Sequence, residues 1–226
     1  MTSDERWLAA AWRFVSDWLP PPPANVLEIG CGPLGGFVPE LLHDGYAAVG
    51  VDPEAPEGPA YHRIEFEQYE PPQPVEAVVA CTSLHHVADL DDVLDRVNRM
   101  LAPDGTLVVV EWARERFDEA SARWCFSRLA QPAPGAEPGW LNRHRDQWDA
   151  SGQPWGAYCQ AWADEEGLHT GRAIVHGLEM RFERLRCADG PYFFADLAET
   201  TQADEQAAID AGQIQAAGIW YVGKRR

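Results

Sequence analysis

A glutamate, a run of glycines, a second acid and a pair of histidines occupy the first ninety residues at spacings that suggest chemistry. Glu28 lies just ahead of Gly30-x-Gly32-x-x-Gly35-Gly36, at the end of the apolar run Asn25-Val-Leu-Glu-Ile29. Glycine has no Cβ and takes positive φ readily, so a strand running into such a turn lets a ligand approach the backbone closely. An anion would find backbone N–H groups and a helix N-terminus there. A carboxylate at the mouth of the loop argues against phosphate and for a ligand carrying an ammonium or sulfonium. Asp52 follows Gly30 by 22 residues and ends the second apolar run, Ala47 to Val51. From that position a carboxylate can accept two hydrogen bonds from vicinal ribose hydroxyls, which points to a nucleoside. His85-His86 follow a further apolar run, Val75 to Cys81. Imidazole titrates near neutral pH and can remove a proton from a substrate, or it can simply shape a loop by hydrogen bonds. Adjacent residues face different ways on regular backbone, so at most one of the two is expected to face a reacting group.

The run Val26-Leu27-Glu28-Ile29-Gly30-Cys31-Gly32 resembles the first motif of class I S-adenosylmethionine-dependent methyltransferases of the small-molecule (type 11/12-like) kind. The acid at Asp52, the pair Glu65-Phe66 and the stretch Leu84-His85-His86 follow in the order that the family implies, and the likeness covers residues 25 to 112. It implies S-adenosyl-L-methionine as cofactor, held by Glu28, Gly30, Cys31, Gly32, Asp52, Pro53, Glu65, Phe66 and Thr82, with Glu67 as an alternative register for Glu65. In-line methyl transfer to oxygen or nitrogen of a small molecule is the implied activity, with His85 or His86 as the candidate catalytic residue. His144 and Tyr158 are further candidate bases. Two other readings stay open: a protein of the same fold that binds or assembles without transferring methyl, and a NAD(P) oxidoreductase, which Glu28 disfavours.

These residues need a scaffold. Apolar runs at 25–29, 47–52, near 61, at 75–81 and at 106–112 read as five strands, separated by a helix at 36–43 and an apolar helical stripe at 89–101. This predicts an α/β, Rossmann-like, doubly wound seven-stranded sheet, mostly parallel, with the antiparallel C-terminal hairpin that the resemblance implies. One domain is expected over 1–226: an N-terminal helix and proline linker (1–23), a cofactor-binding core (24–112), a helical substrate lid after the fifth strand (113–167), and closing strands and helix (168–226). Thr2-x-x-Glu5 reads as a capping box opening the first helix, which either packs on the sheet or covers the cofactor. The lid reads as helices at 116–129, 139–151 and 154–166 and holds five tryptophans, two phenylalanines and Tyr158. Trp112, Trp140 and Tyr158 are the expected substrate wall. Two or three of those eight lid aromatics should touch substrate, with the rest in the core. Tyr192 either points its phenol into the pocket or anchors its turn, and the anchor is the expected role.

Net charge is −18, from 36 acids and 18 bases among 226 residues. That field opposes phosphate backbones and anionic membranes, so the expected partner is a small-molecule methyl acceptor, with no nucleic acid and no membrane. Five cysteines without a C-x-x-C pattern suggest reduced thiols and no metal. No basic segment followed by an apolar stretch opens the sequence, and no apolar run approaches membrane-spanning length. The expectation is a cytoplasmic monomer or homodimer.

Overall fold

The computed structural model describes residues 1–130 and 137–226. Seven runs become strands: β1 (Asn25–Ile29), β2 (Ala47–Val51), β3 (Tyr61–His62), β4 (Val75–Cys81), β5 (Leu101–Trp112), β6 (Phe182–Gly190) and β7 (Gly218–Arg225). They form one sheet in the order β3-β2-β1-β4-β5-β7-β6. The first five are parallel, while β7 runs antiparallel to both β5 and β6. Strand order reverses between β1 and β4, so their carboxyl ends diverge and open a crevice there.

Side chains alternate across the sheet, and both faces are covered. Leu27, Ile29, Val78, Leu107 and Val109 pack with helices α3 (Leu90–Met100) and α7 (Gly171–Arg181). Val26, Ala77, Val79, Val108 and Val110 lie on the other face, under α1 (Ser3–Ser16) and α2 (Val38–His43). The capping box forms as read: Glu5 N donates to Thr2 Oγ1 at 3.2 Å and Thr2 N to Glu5 Oε2 at 2.8 Å. Regular pairing of β5 with β4 begins at Thr106, after an irregular segment containing Asp104 at φ +62°.

After β5 come α4 (Glu119–Phe126), α5 (Trp140–Ser151) and α6 (Trp155–Glu165); α8 (Gln202–Asp210) lies between the last two strands. The first of these helices is shorter than the expected 116–129, because Arg114–Arg116 form a 3-10 turn and Asp118 caps the helix by accepting from Ser121 N. The turn expected ahead of the second falls partly outside the described residues. The last strand begins at Gly218, and Ile214 is buried ahead of it. No helix among the described residues is long and apolar enough to cross a membrane.

Candidate active site

β1 ends at Ile29 and the chain turns at once through Gly30 at φ +75°. A Cβ on Gly30 would strike the Ser83 side chain, and one on Gly36 would run into the Glu28 carboxylate. Those two positions therefore need glycine. Glu28 is 2% exposed and accepts from Phe37 N at 2.8 Å, which fastens the loop to the start of α2. Burial pushes its pKa up to about 8, against the weaker downward pull of the Phe37 and Val38 N–H groups. The expected fixed charge at the loop mouth thus needs correction. Glu28 is a buried carboxyl that holds its proton near neutral pH, because leaving water costs the charged form more than two amide bonds return.

Asp52 lies across from it, with Oδ2 accepting from Gly32 N at 3.0 Å and Oδ1 from Glu54 N at 2.7 Å. Each oxygen keeps a lone pair for a hydroxyl. Two cavities meet at Gly30, Asp52 and Thr82. One, of about 290 Å³, is lined by Glu28, Cys31 and Gly32 together with Asp4, Trp7 and Leu8 of α1. The other, of about 650 Å³, is lined by Pro53, Glu65, Phe66 and Glu67. All the sequence-predicted cofactor residues line one or the other. Acids line both, Asp4 and Glu28 in the smaller, Glu65 and Glu67 in the larger and Asp52 in each, and the larger also offers the apolar surface of Ile29, Val51 and Phe66, an arrangement that fits a nucleoside joined to an amino-acid cation. Helix α1 both packs on the sheet and covers the smaller cavity. It is pinned by Arg6, whose guanidinium donates to the carbonyls of Phe194, Ala195, Leu197 and Thr200 at 2.6–3.2 Å.

A third cavity of about 630 Å³ joins this pair at Thr82, which has φ +53° and lines all three. His85 and His86 both line it. The expectation that adjacent histidines face apart fails because residues 84–86 form a turn, and the two rings pack 4.1 Å apart. His85 Nδ1 lies 2.7 Å from Glu111 Oε2, and Glu111 is fully buried. Leu84 N and Trp112 N also donate to that carboxylate, at 2.5 and 2.9 Å. Burial alone would raise the Glu111 pKa; the His85 ring and the amide donors outweigh it and leave the pKa lowered. An ionised carboxylate only accepts, so His85 Nδ1 donates to Glu111 and Nε2 is the ring nitrogen left toward the cavity. Nε2 has no protein partner among the described residues and is not sealed off. Burial, then its neighbour His85, push the His86 pKa down to about 4.

Trp112 is 3% exposed and forms the hub of the cavity wall, with Tyr192 stacked on it at 5.8 Å and 9°. Trp140 and Trp162 approach it at 5.6 and 5.8 Å. Among the eight lid aromatics, only Trp140 and Trp162 line the cavity, and Trp155 and Phe117 are core. Tyr158 does not line it, contrary to expectation. Its phenol sits behind His144, 2.7 Å from Nδ1, and donates to Gln147 Oε1 at 2.9 Å. Tyr192 is also corrected: Glu205 anchors it through the backbone N–H at 2.8 Å, while its ring faces the cavity.

Glu111, His144 and Gln147 are site residues that the sequence reading missed or left unplaced. Trp140, Arg143, His144 and Gln147 have the i, i+3, i+4, i+7 spacing of one helix face, all on this cavity. Polar residues at that spacing beside tryptophan were the available signal. Glu111 was signalled by an acid closing the run Leu107 to Val110. Among the described residues no group of His, Cys, Asp or Glu is arranged to hold a metal.

A family model described as a methyltransferase domain matches residues 4–161. No curated protein matches the sequence. Solved structures share the fold at low identity. One, described as an S-adenosylmethionine-dependent methyltransferase from Listeria monocytogenes, is 14% identical with a TM-score of 0.59, covering 98% of this chain and 99% of that one. The N-methyltransferase NodS from Bradyrhizobium japonicum is 11% identical with a TM-score of 0.52, covering 99% and 96%. Geranyl diphosphate C-methyltransferase from Streptomyces coelicolor is 15% identical with a TM-score of 0.54, covering 98% and 80%.

Proposed function

The chain belongs to the methyltransferase-domain family, and from that premise we propose that this S-adenosylmethionine-dependent enzyme methylates an oxygen or nitrogen of a small molecule held in the aromatic cavity. The observation that carries this reading is the junction at Thr82, where the two cofactor-side cavities open into the tryptophan-lined one beside His85. When bound, S-adenosylmethionine supplies a methyl on a positively charged sulfur. Asp52 would hold the ribose hydroxyls, Glu65 or Glu67 the adenine amine, and Glu28 with Asp4 would face the amino-acid end.

Methyl transfer needs the attacking atom aligned about 3–3.5 Å from the methyl carbon, so positioning and the exclusion of water supply much of the rate. Trp112, Trp140, Trp162 and Tyr192 would do that positioning. For an acceptor that carries a proton, His85 Nε2 takes it. Glu111 fixes the tautomer that leaves Nε2 free, and its charge stabilises the imidazolium that results. Glu111 is thus a positioning residue.

Calorimetry with S-adenosylhomocysteine and with NADH tests the reading. Binding of the first with a dissociation constant in the micromolar range, a free energy of roughly −8 kcal/mol, and no binding of the second is the expected outcome. Binding of NADH alone would overturn it.

A further inference from the structure

The aromatic cavity has a charge character as well as a shape. Helix α6 puts Trp162, Glu165 and Glu166 at i, i+3 and i+4, so the indole and both carboxylates share one face, and all three line the cavity. Trp140 and Tyr192 line the same space, backed by the buried Trp112 on which Tyr192 stacks. Among the described residues the one cation on the lining is Arg143, and its guanidinium donates to the Pro138 carbonyl at 2.7 Å. The imidazoles present lone pairs. His85 Nδ1 is spent on Glu111, and His144 Nδ1 on Tyr158, whose own proton goes to Gln147. In each ring the nitrogen left over is an acceptor.

A space walled by indole faces, rimmed by two carboxylates and supplied with imidazole lone pairs matches a ligand that is cationic and donates hydrogen bonds. Ring quadrupoles attract cations at their faces, and desolvation strengthens the attraction. We infer that the methyl acceptor is an amine, recognised as an ammonium by Trp140, Trp162 and Tyr192 with Glu165 and Glu166 at the entrance, and losing one N–H proton to His85 Nε2 so that the freed nitrogen lone pair forms the N–CH3 bond as the sulfur–methyl bond breaks. This rests on the proposed methyltransferase reading and narrows its oxygen-or-nitrogen choice to nitrogen. A carboxylate- or phosphate-bearing acceptor would meet the two glutamates and find Arg143 as its one partner.

The test uses the full chain saturated with S-adenosylhomocysteine and three soluble probes of one shape. Choline is the cation, 3,3-dimethylbutanol its neutral isostere and 3,3-dimethylbutyrate the anion. Each gives a nine-proton NMR singlet whose broadening on titration reports binding. Choline should bind at least about fivefold tighter than the alcohol, as a partly desolvated cation–π site implies. The butyrate should bind weakest. The preference should shrink in the double variant Glu165→Gln with Glu166→Gln, which alters only exposed side chains, and in Trp162→Leu, checked for folding by thermal melt. Equal or tighter binding of the alcohol or the butyrate, or no binding of choline, overturns the inference. Failure of S-adenosylhomocysteine itself to bind overturns the methyltransferase reading and this inference with it, and calorimetry on the unprobed protein distinguishes that case.

Discussion

The two halves of the site are built by different means. On the cofactor side a short stretch of chain supplies nearly everything: Glu28 to Gly36 form a loop whose shape is set by glycine φ and by backbone N–H groups, with Asp52 one strand away. On the proposed acceptor side the walls come from separate parts of the chain, the loop after β4, β5, α5, α6 and the segment after β6, each contributing a few residues. A backbone-built site tolerates few changes and is written locally in sequence. A site built from separate parts can change its ligand without disturbing the sheet, which is how one fold carries many substrates.

If the halves are separable, their variants should dissociate. The largest effect is expected for His85→Asn, which removes the base while keeping a polar side chain on the loop. Turnover of an acceptor that must lose a proton should fall about 10²- to 10⁴-fold, with S-adenosylhomocysteine affinity within a few-fold of the parent. Glu111→Gln should reproduce part of the loss and shift the pH profile of turnover, since it acts through His85. Loss of S-adenosylhomocysteine binding in His85→Asn would show the halves to be one unit.

Trp155→Ala breaks the comparison from the other direction. The indole is 2% exposed and its Nε1 donates to the Phe117 carbonyl at 2.6 Å. Truncation should cost about 3–5 kcal/mol of stability and damage both ligands together, whereas Trp140→Ala should spare the cofactor. A denaturant melt beside a cofactor titration reads both quantities.

Asp52→Ala should weaken S-adenosylhomocysteine by at least about tenfold, since the loss of even one of its hydrogen bonds to a charged group is worth about 1.5–3 kcal/mol. The acceptor wall should keep its tryptophan fluorescence. Unchanged affinity in the folded variant would mean that the ribose lies elsewhere.

Glu28 gives a smaller effect whose sign depends on pH. Its pKa is raised from 4.5 to about 8, so above pH 4.5 the folded chain holds a proton that the unfolded chain has released. Its contribution to stability therefore declines as pH rises from about 4.5 and levels off above about 8. A bound ammonium favours the ionised form and reverses the trend for the ligand: S-adenosylhomocysteine affinity should rise with pH between about 6 and 7.5, by at most about tenfold per unit. The rise should vanish in Glu28→Gln. A flat profile in the parent would place the ligand's cation away from Glu28.

Legibility followed the same division. The sheet, the glycine loop and the acid at Asp52 could be read because strand alternation and glycine turns are local signals. Glu28 could be located but not its protonation state, since burial depends on α2 folding over it. Glu111 was visible as an acid in an apolar run, yet its partner lies 26 residues away across a strand junction. The roles of Tyr158 and Tyr192 were exchanged because each is decided by a tertiary contact, His144 for one and Glu205 for the other. Adjacent histidines were misjudged for a simpler reason: the facing rule holds for regular backbone, and residues 84–86 form a turn.

The smallest effect tests that exchange of roles directly. Tyr158→Phe keeps the ring and removes the hydroxyl that accepts from His144 and donates to Gln147. The lost bonds should lower stability by about 0.5–1.5 kcal/mol, since a part-exposed hydroxyl pair is replaced in part by water. Cofactor affinity should not change, because no part of the phenol reaches those cavities. His144, no longer held in one tautomer, should bind the acceptor a few-fold less well, and this should appear in KM with kcat nearly intact. A loss beyond about thirtyfold would mean that the phenol itself touches the acceptor. An unchanged KM would remove His144 from acceptor recognition and leave the aromatic faces and Glu165 with Glu166 to select the ligand.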